Sequence, residues 1–309
     1  MTNMRALIGG SGAPLLVEAP VPVAGPGQVR IKVVAAGVNP FDLAVAAGTL
    51  ADYGVARKLG SYGIGFDAAG VVDQVGRGVA FLPGQEVIAL AARLELPTKA
   101  QADYLVVDAS AVAPAPEGVP LTHAATLPLN ALTAWQALDR VGLTQGRTLL
   151  VTGAAGAVGG FAVQLAASRG LRVAAVAGAA DEELVRSLGA EWFVPRTDEL
   201  AEAVRDVVPG GADAVIDAAV TGLGGLGAVR DGGAFVALSA GVAPVALRGI
   251  DVGTVFFRED GFALAEISRL AGLGRLSTRV AATYPLEKAA GAHTRLAAGG
   301  VRGRLVLTT

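Results

Sequence analysis

The sequence contains no cysteine, and histidine, methionine and aromatic residues are few. Among its 309 residues there are two histidines and two methionines, and aromatic residues make up 5%. The absence of cysteine excludes a disulfide scaffold, an iron–sulfur cluster, a Cys-ligated zinc site and a cysteine nucleophile. His123 and His293 are widely separated and lack the spacing of metal ligands. We therefore predict that the chain has no metal site.

An excess of charge of either sign is also missing. There are 25 Lys and Arg residues against 27 Asp and Glu residues, and the pI is about 5.8. This balance argues against nucleic acid or an anionic membrane surface as a partner. The longest uncharged run, residues 148–168, is interrupted by several glycines, so we do not interpret it as a membrane span. We expect a soluble cytoplasmic protein.

Two patterns of predicted structure follow one another along the chain. Short β segments separated by glycine and proline turns fill about the first 120 residues, whereas strands and helices alternate from Thr148 onward. Such alternation is typical of a parallel sheet covered by helices. The tail returns to a strand, a helix and a final strand. We predict an α/β fold in which a doubly wound parallel sheet, 123–276, is inserted in a β domain formed by 1–122 and 277–309.

The strongest local signal is a glycine motif at residues 151–159, Val-Thr-Gly-Ala-Ala-Gly-Ala-Val-Gly. It lies between a predicted strand and an apolar helix, where glycine lets the backbone approach a pyrophosphate at a helix N-terminus. A glycine-rich turn without a ligand is an equal alternative for the motif alone. Its position at the start of four βα-like units favours dinucleotide binding. The predicted contacts in this loop are Gly153, Ala155, Gly156, Val158 and Gly159.

The end of the second strand of this region bears on the choice of dinucleotide. An acidic residue there favours NAD, but the strand Arg172–Ala177 is followed by Gly178 and Ala179. Small residues leave room for a 2′-phosphate, and Arg196 is its predicted partner. A solvated loop arginine is an equal interpretation of Arg196. We predict NADPH as the cofactor rather than NADH.

Five stretches of the chain, in order, resemble the medium-chain dehydrogenase/reductase superfamily and specifically its zinc-free quinone oxidoreductase branch. These are Ala-Ala-Gly-Val-Asn-Pro-Phe-Asp at 35–42, Asp-Ala-Ala-Gly-Val-Val at 67–72, Leu-Pro-Leu-Asn-Ala-Leu-Thr-Ala-Trp at 127–135, the glycine motif at 153–159, and Arg-Gly-Arg-Leu-Val-Leu at 302–307. The resemblance implies a GroES-like β domain, an inserted Rossmann domain, an active site in the cleft between them, and a homodimer.

The same resemblance bears on metal binding and on the reaction. The places of the catalytic zinc ligands in zinc-dependent relatives are held here by Asn39, Phe66-Asp67 and Leu129. Phenylalanine and leucine side chains cannot coordinate zinc. Without a metal to polarise an alcohol, hydride transfer requires an acceptor that is already electrophilic, such as a quinone or an α,β-unsaturated carbonyl. The resemblance therefore implies a reductase of quinones or enones.

Individual site residues follow from the resemblance. It places Asn39 and Asp42 in the active site, with a turn-forming Asn and a capping Asp as the alternative. The family's proton-donating tyrosines are missing, so Tyr53 and Tyr62 are considered instead, and Tyr53 is the predicted catalytic one. An ordinary buried strand is the alternative at 256–257, and a charged edge residue is the alternative at 304. The remaining implied cofactor contacts are Asn39, Thr133, Ser239, Ala240, Phe256, Phe257, Arg258 and Arg304.

Two other functions remain open from the sequence. An enoyl-thioester reductase or a pathway-specific biosynthetic reductase needs a basic patch for a carrier phosphopantetheine, and no cluster of Lys or Arg is seen. A non-catalytic NADPH-binding protein is the other alternative, because the expected tyrosines are absent and a fold does not certify an activity.

Overall fold

The chain divides into two compact units in a computed structural model that describes residues 2–10, 12–50, 57, 59–238 and 241–309. Three of the predicted site residues, Tyr53, Ser239 and Ala240, lie outside the described residues. Unit 1 consists of Met1–Leu129, Glu259–Gly274 and Thr278–Thr309, and unit 2 consists of Asn130–Arg258 and Arg275–Ser277. Unit 2 is therefore inserted in the sequence of unit 1.

The strands and helices of the described part of the chain are numbered here in chain order. The strands β1 to β16 are Asn3–Gly9, Leu15–Pro20, Gln28–Val38, Tyr62–Gly63, Asp67–Val75, Glu86–Leu90, Tyr104–Asp108, Val112–Pro114, Thr148–Thr152, Arg172–Ala177, Trp192–Pro195, Ala212–Asp217, Val229–Ala237, Asp251–Thr254, Val280–Pro285 and Arg304–Thr308. The helices α1 to α9 are Pro40–Ala47, Leu121–Ala124, Pro128–Val141, Ala157–Ser168, Glu182–Ser187, Leu200–Val207, Leu223–Gly227, Gly261–Gly272 and Ala289–Ala297. Short 3₁₀ turns occupy Ala109–Ala111, Ala179–Asp181 and Leu286–Lys288.

Unit 1 is built on two β-sheets. A small antiparallel sheet has the strand order β2-β1-β4, and the larger sheet runs β15-β16-β3-β5-β6-β8, with β7 also paired to β3. The long strand β3 holds the larger sheet together, since it pairs with β5, β7 and β16. Inward residues such as Val29, Ile31 and Val33 alternate along β3 and pack into the core of the unit.

Unit 2 is built on one six-stranded parallel sheet with the order β11-β10-β9-β12-β13-β14. This is the doubly wound order, in which the direction of strand addition reverses between β9 and β12. Strand β9 is buried along its whole length, as a central parallel strand covered on both faces must be. The predicted α/β fold with a Rossmann sheet and a β domain is confirmed.

The predicted domain boundaries remain a prediction, and the compact units differ from them at three places. Residues 123–129 and 259–274 belong to unit 1, although the prediction assigned both to the nucleotide-binding domain, and Ser277, predicted in the β domain, belongs to unit 2. The physical reason for the second difference is the packing of α8. The Ser268 hydroxyl donates to the carbonyl of Pro114 at 2.7 Å, and a Cβ on Gly261 would lie 2.6 Å from the carbonyl oxygen of Ser110.

Within the described residues, none of the helices is long and apolar enough to cross a membrane.

Candidate active site

The glycine loop of unit 2 connects β9 to α4. Gly153 has φ +61°, a left-handed conformation that favours glycine, and the amide of Ala154 donates to the carbonyl of Val176 in the neighbouring strand at 3.0 Å. Gly156 is the N-cap residue of α4. A Cβ on Gly159 would lie only 2.2 Å from the carbonyl oxygen of Gly153. The glycines therefore bring the helix N-terminus against the end of the strand, as a dinucleotide pyrophosphate requires.

A second loop borders the glycine loop at the same end of the sheet. Asp217 ends β12 beside Thr152, which ends β9, and the Thr152 hydroxyl donates to the Asp217 carboxylate at 2.6 Å. The same carboxylate accepts from the amides of Thr221 and Gly222, each at 3.0 Å. The prediction did not include Thr152 or Asp217. The available signal was a carboxylate at the end of a predicted parallel strand.

The loops after β10 and β11 carry the residues predicted to select the dinucleotide. The backbone amide of Arg196 donates to the carbonyl of Ala177 at 2.9 Å, which brings Arg196 beside Gly178. The side chain of Arg196 is exposed. Asp181, which is 8% exposed, is also close, because a Cβ on Gly178 would lie 3.2 Å from its carboxylate oxygen. The structure thus places one base and one acid near the end of β10.

Residues 256–258 follow β14 and are not part of a strand, so the alternative of an ordinary buried strand is wrong. The rings of Phe256 and Phe257 stack with centroids 4.7 Å apart, and Phe256 is 48% exposed. The backbone of Arg258 is held by Gln136, whose side-chain amide donates to its carbonyl at 2.8 Å and accepts from its N–H at 3.2 Å. Gln136 was not predicted, since only the folded helix α3 brings it to this segment. Thr133 lies on the same helix and is 7% exposed.

Unit 1 contains a buried polar cluster around the Asn39-Pro40 turn. Asp42 is 0% exposed, and its carboxylate accepts from the amide of Asn39 at 2.7 Å and from the amide of Gly65 at 3.0 Å. Asn39 and Asp42 form the capping box that starts α1. Burial raises the pKa of Asp42 to about 7. Their catalytic role stays a prediction, while the geometry shows how they fix this turn.

Asp67 and Arg304 continue the cluster. The Asn39 side chain donates to Asp67 at 2.7 Å and accepts from the Arg304 guanidinium at 2.6 Å, and that guanidinium lies 3.6 Å from Asp67. Arg304 is 5% exposed, so the alternative of a charged edge residue is wrong. Burial raises the pKa of Asp67 and lowers that of Arg304 from their ordinary values. The cofactor contact predicted for Arg304 stays a prediction.

Lys99, Gln101 and His293 complete the cluster, and none of them was predicted to belong to a site. The Gln101 side-chain amide donates to Asp42 at 3.2 Å, and its oxygen lies 3.0 Å from Nε2 of His293. The Lys99 ammonium is 3.3 Å from the centroid of the Phe66 ring and has no hydrogen-bond partner among the described residues. Burial lowers the pKa of Lys99 to about 7. No sequence pattern distinguishes these residues from ordinary surface groups.

Tyr62, the second tyrosine near the missing proton donor, is 3% exposed. Its hydroxyl donates to the carbonyl of Arg57 at 2.5 Å and accepts from the amide of Leu59 at 2.9 Å. The hydroxyl therefore links Tyr62 to the backbone of Arg57 and of Leu59.

The residues at the zinc-ligand places do not fit a metal ion. Phe66 is 0% exposed and packs edge to face on Phe41, with ring centroids 5.2 Å apart. The Asp67 oxygens accept from Asn39 and from the amide of Leu129, the latter at 2.5 Å, and a guanidinium lies beside them. A fixed cation and two side chains without donor atoms oppose zinc binding. The described residues also contain no group of three or more His, Cys, Asp or Glu able to hold a metal.

A doubly wound sheet with a glycine loop, next in sequence to a β unit, defines the class of two-domain nicotinamide-dependent oxidoreductases. Residues 25–117 match the family described as alcohol dehydrogenase GroES-like domain, and residues 188–307 match the family described as zinc-binding dehydrogenase. The chain belongs to the medium-chain dehydrogenase/reductase superfamily. The resemblance predicted from the sequence is thereby confirmed.

Individual relatives are similar over most of this chain. The NADPH-dependent alkenal/one oxidoreductase of Arabidopsis thaliana is 31% identical over 91% of this chain and 72% of its own length. A spectinabilin polyketide synthase protein of Streptomyces orinoci is 36% identical over 97% of this chain, which spans only 14% of that protein. The quinone oxidoreductase of Coxiella burnetii has a similar structure, with a TM-score of 0.87, 26% identity and 100% of both chains covered.

Proposed function

We propose that this chain is a metal-independent reductase that transfers a hydride from NADPH to a quinone or an α,β-unsaturated carbonyl. The observation that carries the proposal is the combination of two features. The glycine loop is suited to a dinucleotide, and the zinc-ligand places hold the apolar Phe66 and Leu129, with the Arg304 guanidinium beside Asp67. The Arabidopsis relative is an alkenal/one oxidoreductase and the Coxiella relative is a quinone oxidoreductase, which supports the same acceptor classes.

In this proposal, the loop residues Gly153, Ala155, Gly156, Val158 and Gly159 hold the pyrophosphate at the N-terminus of α4. The bound cofactor supplies the hydride. Phe256, Phe257 and Arg258 contribute a backbone segment that Gln136 fixes in position. An enone or quinone acceptor needs no Lewis acid, because hydride addition produces an enolate or phenolate that water can protonate.

The choice of NADPH rests on the small residues Gly178 and Ala179 and on the exposed Arg196 beside them. Asp181 near Gly178 favours NADH as the competing choice. Arg196→Ala should weaken NADPH binding about tenfold and leave NADH binding nearly unchanged, since an exposed charge-assisted contact to phosphate is modest. Equal affinities of the wild type for both dinucleotides, unchanged in the variant, would contradict the NADPH assignment.

The activity is tested by following NADPH oxidation with phenanthrenequinone, with an aliphatic enone and with a crotonyl thioester, each before and after treatment with EDTA. Turnover of the quinone or enone that survives EDTA is expected. Loss of turnover on chelation, restored by zinc, would contradict metal independence. Binding without turnover of any acceptor would favour the non-catalytic alternative.

A biosynthetic reductase acting on a carrier-bound thioester is the second candidate. The similarity to the polyketide synthase protein over 97% of this chain favours it. The absence of a Lys and Arg cluster in the sequence weakens it, because a phosphopantetheine phosphate calls for basic residues. A preference for the crotonyl thioester over the quinone would decide for this candidate.

The proposal includes a cytoplasmic homodimer. Strand β14 ends the order of the six-stranded sheet, and an edge strand offers backbone groups for pairing with a second copy. Light scattering coupled to gel filtration measures the mass in solution, and a monomer would contradict the dimer.

A further inference from the structure

Lys99 is buried in unit 1 without a hydrogen-bond partner. The residue is 1% exposed, and its side-chain nitrogen lies 3.3 Å from the centroid of the Phe66 ring. None of the described residues accepts a hydrogen bond from this nitrogen. A buried polar group in this condition costs free energy, so its presence calls for an explanation. One explanation is a bound molecule that accepts a hydrogen bond from it.

The backbone fixes where the Lys99 side chain begins. Its segment runs beside β4 and the residues after it, since the amide of Gln101 donates to the carbonyl of Ile64 at 3.0 Å. A Cβ on Gly63 would lie 2.8 Å from the backbone nitrogen of Lys99, so only glycine allows the two segments to pack this closely. The side chain of Lys99 therefore reaches Phe66 from a neighbouring segment that is held in place.

Other polar side chains of the same region use their donors within the protein. The Asn39 side chain donates to Asp67 at 2.7 Å, and the hydroxyl of Tyr62 donates to a backbone carbonyl. The Arg304 guanidinium donates to Asn39, which fixes its plane, although its Nε–H has no partner in the described part of the chain. Among the charged groups of the buried cluster that the structure describes, only that of Lys99 is held by no hydrogen bond.

The proposed reaction benefits from a donor at the oxygen of the acceptor. Hydride addition at the β-carbon of an enone oxidises NADPH to NADP⁺ and reduces the enone to an enolate, whose oxygen carries the negative charge. Water then supplies the proton for the α-carbon. A preorganised positive charge or N–H donor at that oxygen stabilises the transition state. By the resemblance, Phe66 stands at a place where zinc-dependent relatives hold the metal, and the amine of Lys99 lies against its ring.

The amine can turn toward a bound acceptor without breaking a hydrogen bond. It lies at the end of a long flexible stem, and turning it away from Phe66 loses only the contact with the aromatic face. Burial lowers the pKa of Lys99 to about 7, while the carboxylates of Asp42, Glu259 and Asp67 favour the charged form. The charged and the neutral amine both have N–H groups, so either form can donate.

We propose that Lys99 is a catalytic residue of the reductase, whose amino group donates a hydrogen bond to the carbonyl oxygen of the quinone or enone and stabilises the negative charge that forms there. This inference rests on the proposed function. It gives the buried amine a partner, and it supplies a polar group for the acceptor beside the apolar residue at a zinc-ligand place.

The first test is Lys99→Met, which removes the amine and leaves an unbranched apolar side chain that suits a buried position, so the variant should fold. NADPH oxidation is followed with phenanthrenequinone and with an aliphatic enone. The value of kcat/KM should fall about 100-fold for both, as expected for the loss of one donor to an oxyanion, mainly through kcat. Calorimetry should give an unchanged affinity for NADPH. Lys32→Met, at an exposed position of β3, is the matched control and should keep the activity of the wild type.

The second test restores the amine, which the absence of cysteine from the chain makes possible. Lys99→Cys introduces the only thiol of the protein. Alkylation of the unfolded variant with 2-bromoethylamine, followed by refolding, gives a side chain in which sulfur replaces one methylene of lysine. Activity should rise about tenfold or more over the unmodified variant, whereas alkylation with iodoacetamide, which adds no amine, should restore none of it. Mass spectrometry confirms each modification, and the wild type taken through the same steps defines full recovery.

Different failures are distinguishable. If the wild type reduces neither the quinone nor the enone, the proposed function is wrong and the role of Lys99 falls with it. If the wild type is active and Lys99→Met is equally active, the inference is wrong and the proposed function stands. An activity lost in Lys99→Met but not restored by aminoethylation, or lost together with NADPH affinity, would show that Lys99 only maintains the structure, which also overturns the inference.

Discussion

The ammonium of Lys99 lies 3.3 Å from the centroid of the Phe66 ring, and both residues are almost completely buried in unit 1. The aromatic face offers the cation an electrostatic contact, but it does not replace the hydrogen bonds that an ammonium makes with water. This is the reason that burial lowers the pKa of Lys99 to about 7.

Lys99→Met should stabilise the protein near neutral pH by about 1–3 kcal/mol, because an apolar side chain replaces a poorly solvated amine. The unfolded chain binds the Lys99 proton up to its ordinary pKa of 10.5, whereas the folded chain releases it above about 7. The stability of the wild type therefore rises across this interval, and the advantage of the variant should shrink. Urea unfolding at several pH values measures this, with the exposed Lys32→Met as control. An advantage that grows with pH would contradict the prediction.

His293 should make the protein less stable in mild acid. Burial lowers its pKa from 6.5 to about 4, so between these pH values the unfolded state binds a proton that the folded state does not bind. Lowering the pH from about 7 to about 5 should cost about 2 kcal/mol through this residue. His293→Gln should remove that part of the pH dependence in urea unfolding, and His123→Gln should not. A pH dependence unchanged by His293→Gln would assign it to other groups.

Asp42→Asn should destabilise unit 1 by about 2–4 kcal/mol, because the NH₂ group of the amide would face N–H donors from which the carboxylate now accepts hydrogen bonds. Those donors are the amides of Asn39 and Gly65 and the side chain of Gln101. Asp73→Asn, which removes a partly exposed ion pair with Arg30, is the control and should cost less than about 1 kcal/mol. Chemical unfolding gives both values. Turnover per folded molecule separately tests the predicted catalytic role of Asp42, which a purely structural role would leave unchanged.

Gly156→Val should weaken NADPH binding by several kcal/mol in a folded protein, because a branched side chain would occupy the approach to the pyrophosphate. Gly156 is exposed, and its added Cβ would approach one atom, the carbonyl oxygen of Gly153 at 3.0 Å. Gly159→Ala should damage the fold itself, since its Cβ would lie 2.2 Å from that oxygen. Calorimetry and circular dichroism separate the two effects. Unchanged NADPH affinity in folded Gly156→Val would mean that the loop is only structural.

Local patterns in the sequence predict the sheet of unit 2 well. Strand Arg172–Ala177 has the predicted bounds, and β9 begins at Thr148, where the predicted alternation starts, because buried parallel strands are short apolar runs bounded by turn residues. Helix α8 was not predicted, although Asp260 caps its N-terminus by accepting from the amide of Ala263. Its place in unit 1 depends on packing against β8, which no local pattern encodes.

In the candidate site, too, a contiguous motif was predictable from the sequence and a cluster formed by packing was not. The glycine loop is a contiguous motif, and its turn geometry follows from residue type. The buried cluster joins Asn39, Asp67, Lys99, His293 and Arg304, which are distant in sequence. Burial decides which of these groups has a shifted pKa. Whether a polar side chain is buried depends on the packing of the folded core, which the local sequence does not show. The sequence left a charged edge residue open as the alternative to a cofactor contact at 304, and only the fold shows that Arg304 is buried.

The hydrogen bond from Arg304 to Asn39 spans 265 positions of the chain, and the pairing of β16 with β3 joins residues that are slightly further apart in sequence. During synthesis, the larger sheet of unit 1 remains incomplete until β16 has emerged, by which time the whole of unit 2 is available to fold. Contacts between residues so far apart in sequence have a large entropic cost of loop closure, and they form slowly. Until then the buried carboxylate of Asp67 lacks its arginine, and the open edge of β3 is exposed to other chains. A ribosome-bound intermediate with unit 2 folded and unit 1 open is therefore the form most exposed to aggregation and most dependent on chaperones.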